Sequence, residues 1–389
     1  MAKKAPDKQK PIEGAVSNKD FINMMNKRMG EGSIFAFDGD STAKVQPVAT
    51  GIPSLDFALG IGGLPWGRLA EIYGPESSGK TTVCLKVIAE FQKNAKIIPH
   101  VFYGKKVLFI DAEHALDPYH AEFLGCDISE ETGMLISQPT CAEEAYDLAE
   151  ASILSGQVGL IVGDSLPSFV PKKVIDGSAG DQNIGLQARL NSQNLPKMAT
   201  LCSKHDVLFI MINQIREKVG VMYGNPETTP GGRALKFYSS VRMEIRRELI
   251  TKSDVNIGQI IKVKIVKNKV SRPFTKAEFD YYYETGIDFY KDIMNVAMDM
   301  GIIKRAGAYY YYGEDSKNPQ VDGAGNPLKW MGKETVENVL KSSPALFAYT
   351  NDIVQGRIPK DAVFVEEDHS QDGDLEPEET MANDGTLAI

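Results

Sequence analysis

Short apolar runs alternate with longer amphipathic segments through most of the chain. Runs rich in β-branched and aromatic residues predict strands at 69–73, 107–110, 159–162, 207–212, 241–245 and 260–266. The segments between them have the apolar spacing of helices. This alternation predicts an α/β fold with a doubly wound, mostly parallel sheet.

The two ends of the chain differ from this central part. Residues 1–50 are predicted to form an N-terminal oligomerisation segment with an amphipathic helix at 21–29, which cannot bury its apolar face alone. After a core at 51–290, residues 291–345 predict a small domain with helices near 290–300 and 334–341 and a tyrosine cluster at 309–312. Residues 346–389 are predicted to be an acidic flexible tail.

Charge is unevenly distributed along the 389 residues, whose formal net charge is -9. The last 29 residues hold ten of the 52 acids and no Lys or Arg, so the rest of the chain is close to neutral. Nucleic acid is therefore not excluded as a partner. We expect the tail acids to compete with DNA phosphates for basic surfaces.

Composition also narrows the class of protein. The four cysteines are scattered, which disfavours a disulfide framework or a structural zinc site. No apolar run reaches the roughly 18 residues that span a bilayer, and the N-terminus lacks a secretory pattern. A cytoplasmic protein without a membrane partner is expected.

A complete phosphate-loop motif follows the first predicted core strand. The pattern GxxxxGK[ST] is formed by Gly74, Pro75, Glu76, Ser77, Ser78, Gly79, Lys80 and Thr81, with Thr82 next. Glycines allow backbone N–H groups to face phosphate oxygens, and the following helix adds its positive N-terminus. Lys80 is expected to reach the outer phosphates and the Thr81 hydroxyl to bind Mg²⁺. The motif predicts a site for ATP with Mg²⁺.

Polar residues after other predicted strands complete this candidate site. Asp164 ends a strand where a carboxylate can orient Mg²⁺ opposite Thr81. Glu113, just past the 107–110 strand, is the candidate for orienting the water that attacks the γ-phosphate. Asn213 and Gln214 end a further strand, so an amide there can respond to the γ-phosphate.

Two long Gly-rich loops, 176–185 and 215–232, follow strands of the predicted sheet. Loops of this length are usually functional or disordered, and these leave the edge at which such sheets bind ligands. Basic residues on or near them can meet phosphates; they are Arg189, Arg216, Lys218 and Arg233. The alternative is a solvated, flexible lid.

Further basic residues follow two predicted strands. Arg242, Arg246 and Arg247 lie on one. On the other, we expect strand alternation to place a basic stripe opposite the apolar Ile261, Val263 and Ile265. The stripe comprises Lys262, Lys264, Lys267 and Lys269. It is interpreted either as a solvated face or as a surface for DNA or a neighbouring subunit's triphosphate.

Several long motifs resemble the RecA family of bacterial recombinases over about residues 30–345. They are GPESSGKTT, FIDAEHALDP, the 213–238 stretch containing NQI, GNPETT and GGRALKFY, and VKNK. The resemblance implies a RecA-like P-loop ATPase core with a mostly parallel twisted sheet, an N-terminal helical segment, a small C-terminal α/β domain and an acidic disordered tail. It implies a DNA-dependent ATPase that forms filaments on single-stranded DNA and exchanges strands with homologous duplex DNA.

The resemblance also implies residue roles. It assigns Lys80, Thr81 and Asp164 to the phosphates and Mg²⁺, Glu113 to water activation and Gln214 to γ-phosphate sensing. Lys267 and Lys269 would reach ATP on the adjacent protomer, with Asp117 and Tyr283 near adenine. The loops would bind DNA through Ile184, Gly185, Arg189, Arg216, Lys218, Val219, Gly231, Gly232 and Arg233. Arg246, Arg247 and Lys264 would form a second DNA site, and a LexA-type repressor is a candidate partner.

Some positions depart from the family pattern. His120 replaces a common adenine-stacking Tyr, Pro196 replaces a common basic residue, and 95–104 is an insertion. Such divergence suits a bacteriophage recombinase as well as a bacterial one. Two alternatives are a non-catalytic single-strand DNA-binding or annealing protein that uses ATP structurally, and a hexameric helicase-type motor of the same fold.

Overall fold

The computed structural model describes residues 16–36, 45–178, 183, 185–217 and 226–365. By backbone contacts the chain divides into two units, 1–45 and 46–389, and each is treated by itself. In the described part of the first unit, helix α1 spans Asn18–Met29. Ser17 caps it by accepting a hydrogen bond from the Asp20 N–H at 3.2 Å. None of its residues is buried.

The helices of the second unit are these: α2 Pro53–Leu59, α3 Lys80–Ala95, α4 Pro118–Phe123, α5 Ala142–Leu154, α6 Lys172–Ile175, α7 Leu186–His205, α8 Ala234–Tyr238, α9 Phe289–Asp299, α10 Lys333–Ser342 and α11 Pro344–Val354. A 3₁₀ turn covers Leu166–Ser168. No helix in the described ranges is long and apolar enough to cross a membrane.

The strands are these: β1 Pro47–Val48, β2 Leu64–Pro65, β3 Leu69–Gly74, β4 Lys106–Asp111, β5 Leu135–Ser137, β6 Val158–Asp164, β7 Leu208–Gln214, β8 Arg216–Glu217, β9 Glu227–Thr228, β10 Val241–Lys252, β11 Val255–Asn268, β12 Lys276–Tyr282, β13 Gly286–Ile287, β14 Ile303–Ala306, β15 Tyr309–Tyr312 and β16 Lys329–Met331. All six predicted strands lie on or within one residue of these elements.

A nine-stranded sheet organises the second unit, in the order β13-β12-β11-β10-β3-β7-β6-β4-β5. The strands from β10 to β5 pair in parallel, whereas β11, β12 and β13 are added antiparallel. The predicted mostly parallel α/β sheet is confirmed. Its four central strands, β3, β7, β6 and β4, are buried on both faces, which explains their continuous apolar runs.

Apolar side chains cover both faces of the sheet. One cluster joins α2 and α3 to the sheet through residues such as Leu55 and Val83, and the other joins α5 and α7 through Tyr146 and Leu195. All four of these side chains are essentially inaccessible to solvent. The described strand ends are therefore held on a rigid scaffold.

A β-bulge sets the direction of the lysines on β11. Met243 pairs with Ile265 but Arg242 pairs with Lys267, so Val266 is an extra residue. Strict alternation would place Lys267 on the face opposite Lys264. Because of the bulge, Lys267 lies on the same face as Lys264. The sequence placed both lysines on one face, but the cause is the bulge and not strand alternation.

The C-terminal part of the second unit contains α9, α10 and α11 and the three-stranded sheet β14-β15-β16. The predicted boundary at 345 is wrong, because α11 crosses it. Leu346 and Ile353 are buried in an apolar cluster of this part, and Phe364 is only 6% exposed. The acids that suggested a tail begin at Asp361, whereas residues 346–354 are largely apolar. The tail beyond 365 lies outside the described residues.

Candidate functional site

The phosphate loop connects β3 to α3, as its sequence predicts. At Gly74 a Cβ atom would lie 2.2 Å from the Ile245 carbonyl oxygen, so a side chain cannot fit there. Gly79 has a φ of 92° at the start of α3, in the left-handed region that favours glycine. Both glycines of the motif are therefore required by local packing and backbone geometry.

Side chains of the loop are engaged with the loop itself. The Lys80 Nζ donates to the Pro75 carbonyl at 2.6 Å, and the Ser78 hydroxyl donates to the same oxygen at 2.8 Å. Burial lowers the pKa of Lys80, with Asp164 and Glu113 acting in the opposite direction. The lysine is thus held over the loop, at the place where outer phosphates would bind.

Thr81 and Asp164 meet across the ends of α3 and β6. The Thr81 hydroxyl donates to Asp164 Oδ2 at 2.9 Å. Burial raises the pKa of Asp164 to about 6; the Thr81 hydrogen bond opposes this shift and the nearby Glu113 charge adds to it. A hydroxyl and a carboxylate oxygen in contact are the hard ligands that Mg²⁺ prefers. These two residues fit the metal predicted from the sequence.

Glu113 and Gln214 are brought together from different strands. Glu113 follows β4 and Gln214 ends β7, yet the Gln214 Nε2 donates to Glu113 Oε1 at 3.3 Å. The Ser165 hydroxyl, just after β6, donates to the same oxygen. Glu113 is exposed, so it remains open to water. Sequence reasoning missed Ser165, because a serine after a strand carries no distinctive signal.

Two neighbouring polar residues support this arrangement. Asp111 is buried and accepts from the Ala115 and Leu116 N–H groups at 3.2 and 3.3 Å, which fixes the turn that carries Glu113. Asn213 is fully buried and donates to Glu71 Oε1 at 3.0 Å and to the Pro230 carbonyl of the 215–232 loop at 3.4 Å, whereas no contact of its side chain with Glu113 is found among the described residues. Of the two amides at the end of β7, Gln214 is the one that reaches the site.

The sequence analysis did not identify a buried ion pair on the strands next to the phosphate loop. Glu71 lies within β3, is fully buried, and pairs with Arg242 on β10. Arg242 stacks over the Tyr73 ring, with its guanidinium carbon 4.8 Å from the ring centroid. The signal was available, since a glutamate inside an apolar strand needs a partner.

The residues expected near adenine lie beside α4. Asp117 caps α4 by accepting from the Tyr119 N–H at 2.9 Å. The Tyr281 ring lies between this helix and Tyr283. Its centroid is 6.4 Å from that of His120, which is on α4, and 6.2 Å from that of Tyr283. Tyr283 is 45% exposed and thus accessible to a ligand.

Lys267 and Lys269 lie away from the loop. Lys267 Nζ donates to the Lys236 and Phe237 carbonyls at 2.7 and 2.9 Å, at the end of α8. Burial lowers the pKa of Lys267 to about 8, helped by the charges of Lys269 and Arg242. Lys269 is exposed beyond the end of β11.

The predicted DNA-binding residues are only partly described. Arg189 lies in the first turn of α7 and is exposed, as are Arg216 on β8 and Arg233 at the start of α8. Gly231 and Gly232 have positive φ, and the Asn191 Nδ2 holds the Gly231 carbonyl at 2.9 Å. Gly185 precedes α7 in the left-handed conformation. Ile184, Lys218 and Val219 lie outside the described residues.

The proposed second basic set lies on the antiparallel strands. Arg246 pairs with Glu227 and Glu244, so it contacts the base of the 215–232 loop. Arg247 and Lys264 are exposed. Of these three, Arg246 would have to exchange existing ion pairs to meet DNA.

Comparison with known proteins agrees with the geometry. Residues 17–288 match the RecA N-terminal domain family. The chain is 47% identical to Protein RecA of Heliobacterium modesticaldum over 339 residues, 86% of this chain and 91% of the relative. It is 44% identical to Protein RecA of Thermus aquaticus over 342 residues, 87% of this chain and 92% of the relative.

Proposed function

The chain belongs to the RecA family, and from this we propose that it couples ATP hydrolysis to the pairing and exchange of homologous DNA strands. Family membership makes it a recombination and DNA-repair protein. RecA proteins in general are DNA-dependent ATPases that use ATP with Mg²⁺ and form filaments on DNA. The proposal concerns how this chain's own residues divide those tasks.

The contact between Gln214 and Glu113 carries the proposal. In this proposal Glu113 accepts a proton from the attacking water, and the contact in which the Gln214 Nε2 donates to its carboxylate oxygen at 3.3 Å supports that role. Lys80, Thr81 and Asp164 would hold the triphosphate and Mg²⁺, which neutralises charge that develops on the phosphates. The residues that orient water and those that bind phosphate therefore converge on one sheet edge.

Gln214 also begins the second candidate DNA loop. Residues 215–232 follow it directly, so a change in its side-chain contacts can order or release the loop. By linkage, DNA binding then favours ATP binding by the same free energy, typically about 1–3 kcal/mol. We assign Gly185, Arg189, Arg216, Gly231, Gly232 and Arg233 to the primary DNA surface. Arg246, Arg247 and Lys264 are assigned to a second, weaker one.

Lys269 acts on another protomer in this proposal. Its N–H bonds the Ser240 carbonyl, and the Ser240 N–H bonds the Leu69 carbonyl, at the start of β3. Gly74 lies five residues further along β3, or about 16 Å at the rise of a strand. A lysine side chain cannot cover that distance, so Lys269 can contribute only to a neighbouring copy's nucleotide. Lys267 is proposed to act on the same nucleotide.

The direct test is ATP hydrolysis with and without single-stranded DNA, followed by strand exchange with a homologous duplex. We expect DNA to stimulate hydrolysis at least tenfold and exchange to require ATP, with Lys80→Ala as the inactive control. Strand annealing without stimulated hydrolysis would favour the annealing-protein alternative. Closed rings instead of filaments by electron microscopy would favour a helicase-type motor.

A further inference from the structure

A basic cavity lies at the amino edge of the sheet, opposite the phosphate loop. Its volume is about 700 Å³, and its lining includes Arg68, Lys204 and Lys269 together with Thr200 and Tyr238. No acid lines it among the described residues. We call this the amino-edge cavity.

The three cations of the amino-edge cavity are unpaired. Within the described part of the chain, the side chains of Arg68, Lys204 and Lys269 have no hydrogen bond or ion pair, and all three are exposed. Asp206 approaches Gly67 nearby but does not line the cavity. Like charges gathered around one concave surface without a counter-ion favour an anionic ligand.

Backbone hydrogen bonds fix the main chain from which these three side chains extend. The Arg68 carbonyl accepts from the Phe209 N–H at 3.0 Å, and the Lys269 N–H donates to the Ser240 carbonyl at 2.9 Å. Lys204 lies in the last turn of α7, whose end is tied to the sheet where the Val207 N–H donates to the Cys202 carbonyl at 3.1 Å. Elements of the core thus hold the backbones of all three residues around one cavity, within reach of a shared anion.

We propose that Arg68 and Lys204 join Lys269 in binding the triphosphate held by the phosphate loop of the next copy of this chain. The inference rests on the proposed function, but it adds two residues to the lysine pair. This chain's own phosphate loop follows the other end of β3, so the nucleotide that it would hold lies at the opposite edge of the sheet from the cavity. A head-to-tail contact between opposite edges propagates into an open filament.

The test is complementation between two variants in DNA-stimulated ATP hydrolysis. The doubly substituted chain Arg68→Gln, Lys204→Gln keeps its own phosphate loop, and Glu113→Gln keeps the cavity while lacking the water-orienting carboxylate. Each alone is expected to turn over at least tenfold more slowly than the unmodified chain. In an equimolar mixture, about a quarter of the interfaces combine both intact halves. We therefore expect turnover to return to roughly that fraction.

Lys197→Gln is the matched control, since Lys197 lies on α7 two turns before Lys204, pairs with Glu150, and does not line the cavity. It should behave like the unmodified chain, and thermal melting of each variant checks folding. Normal turnover by the double variant, or a mixture no better than the average of its parts, overturns the inference. So does a loss of turnover explained by weaker DNA binding with a reduced salt dependence, because the cations would then contact DNA.

A reference mixture separates this inference from the proposed function. Lys269→Gln mixed with Glu113→Gln should also regain activity. If this reference mixture complements and the Arg68 and Lys204 mixture does not, only the present inference fails. If neither complements, the assignment of the nucleotide to a protomer interface fails with it.

Discussion

The two edges of the central sheet differ in how far their polar groups are satisfied within one chain. At the carboxyl edge, Lys80, Thr81 and Glu113 all have partners: the Pro75 carbonyl, Asp164 and Gln214. At the amino edge, Arg68, Lys204 and Lys269 have none among the described residues. In our proposal the first edge holds most of the nucleotide site and the second contributes to the site of a neighbouring copy, so that opposite edges of two copies would have to meet.

The largest expected effect on the rate of ATP hydrolysis comes from a substitution in the site at the carboxyl edge of the sheet. Glu113→Gln should lower the rate of ATP hydrolysis by roughly 10²–10⁴-fold, because the amide cannot accept a proton from water. ATP binding should persist, since Lys80, Thr81 and Asp164 remain. Single-turnover hydrolysis and equilibrium binding measure the two effects. Glu122→Gln, on an exposed part of α4, is the control; a full rate in Glu113→Gln would remove Glu113 from its role.

A smaller effect on ATP turnover is expected from a substitution in the amino-edge cavity. Lys269→Gln should reduce DNA-stimulated turnover by about 10–100-fold, the range of a typical coupling between sites. Nucleotide affinity without DNA should be unchanged in dilute protein, because the lysine lies too far from its own loop. Lys276→Gln, an exposed change on β12, controls for charge. A weaker nucleotide affinity in the dilute variant would contradict the separation of the two edges.

The connection from the nucleotide to DNA can be tested at Gln214. Gln214→Ala should leave nucleotide binding within a few-fold of normal and reduce the stimulation by DNA by about tenfold. The reason is that Gln214, which directly precedes the 215–232 loop, donates to Glu113. Steady-state rates with and without single-stranded DNA provide the measurement, with exposed Gln157→Ala as control. Undiminished stimulation would reject Gln214 as the switch.

The smallest expected effect is on the stability of the fold and comes from a buried carboxyl group in α2, away from both edges of the sheet. Burial raises the pKa of Asp56 in α2 from its ordinary 3.8 to about 8, although the Thr50 N–H donates to it at 2.8 Å. Between these values the folded chain keeps a proton that the unfolded chain loses. The free energy of unfolding should therefore fall as pH rises towards 8.

Asp56→Asn keeps the acceptor for Thr50 and has no carboxyl to ionise. It should be more stable than the unmodified chain by about 1–3 kcal/mol at pH 8, with the gap closing towards pH 4. Urea unfolding at several pH values measures this, and exposed Asp147→Asn is the control. A gap that does not change with pH would show that Asp56 does not titrate as described.

The sheet and the phosphate loop were predictable because their signals are local. Apolar runs fixed the strands, and the GxxxxGK[ST] motif fixed the loop. The orientation of Lys267 was not predictable, since it depends on a bulge that only the pairing of β10 with β11 creates. The partners of Glu113 come from β6 and β7, far away in the chain. The tail was predicted to begin at 346, before the end of α11, because the acids after 360 were given more weight than the apolar residues of that helix.

The arrangement of one nucleotide between opposite edges of two copies is tested most directly by turnover per protomer as protein concentration is varied, with ATP, Mg²⁺ and single-stranded DNA in excess. If each nucleotide needs residues from two copies, turnover per protomer should rise steeply with concentration and then level off as filaments form. A turnover that is already maximal in protein dilute enough to be monomeric would contradict the account, because one chain would then contain the whole site.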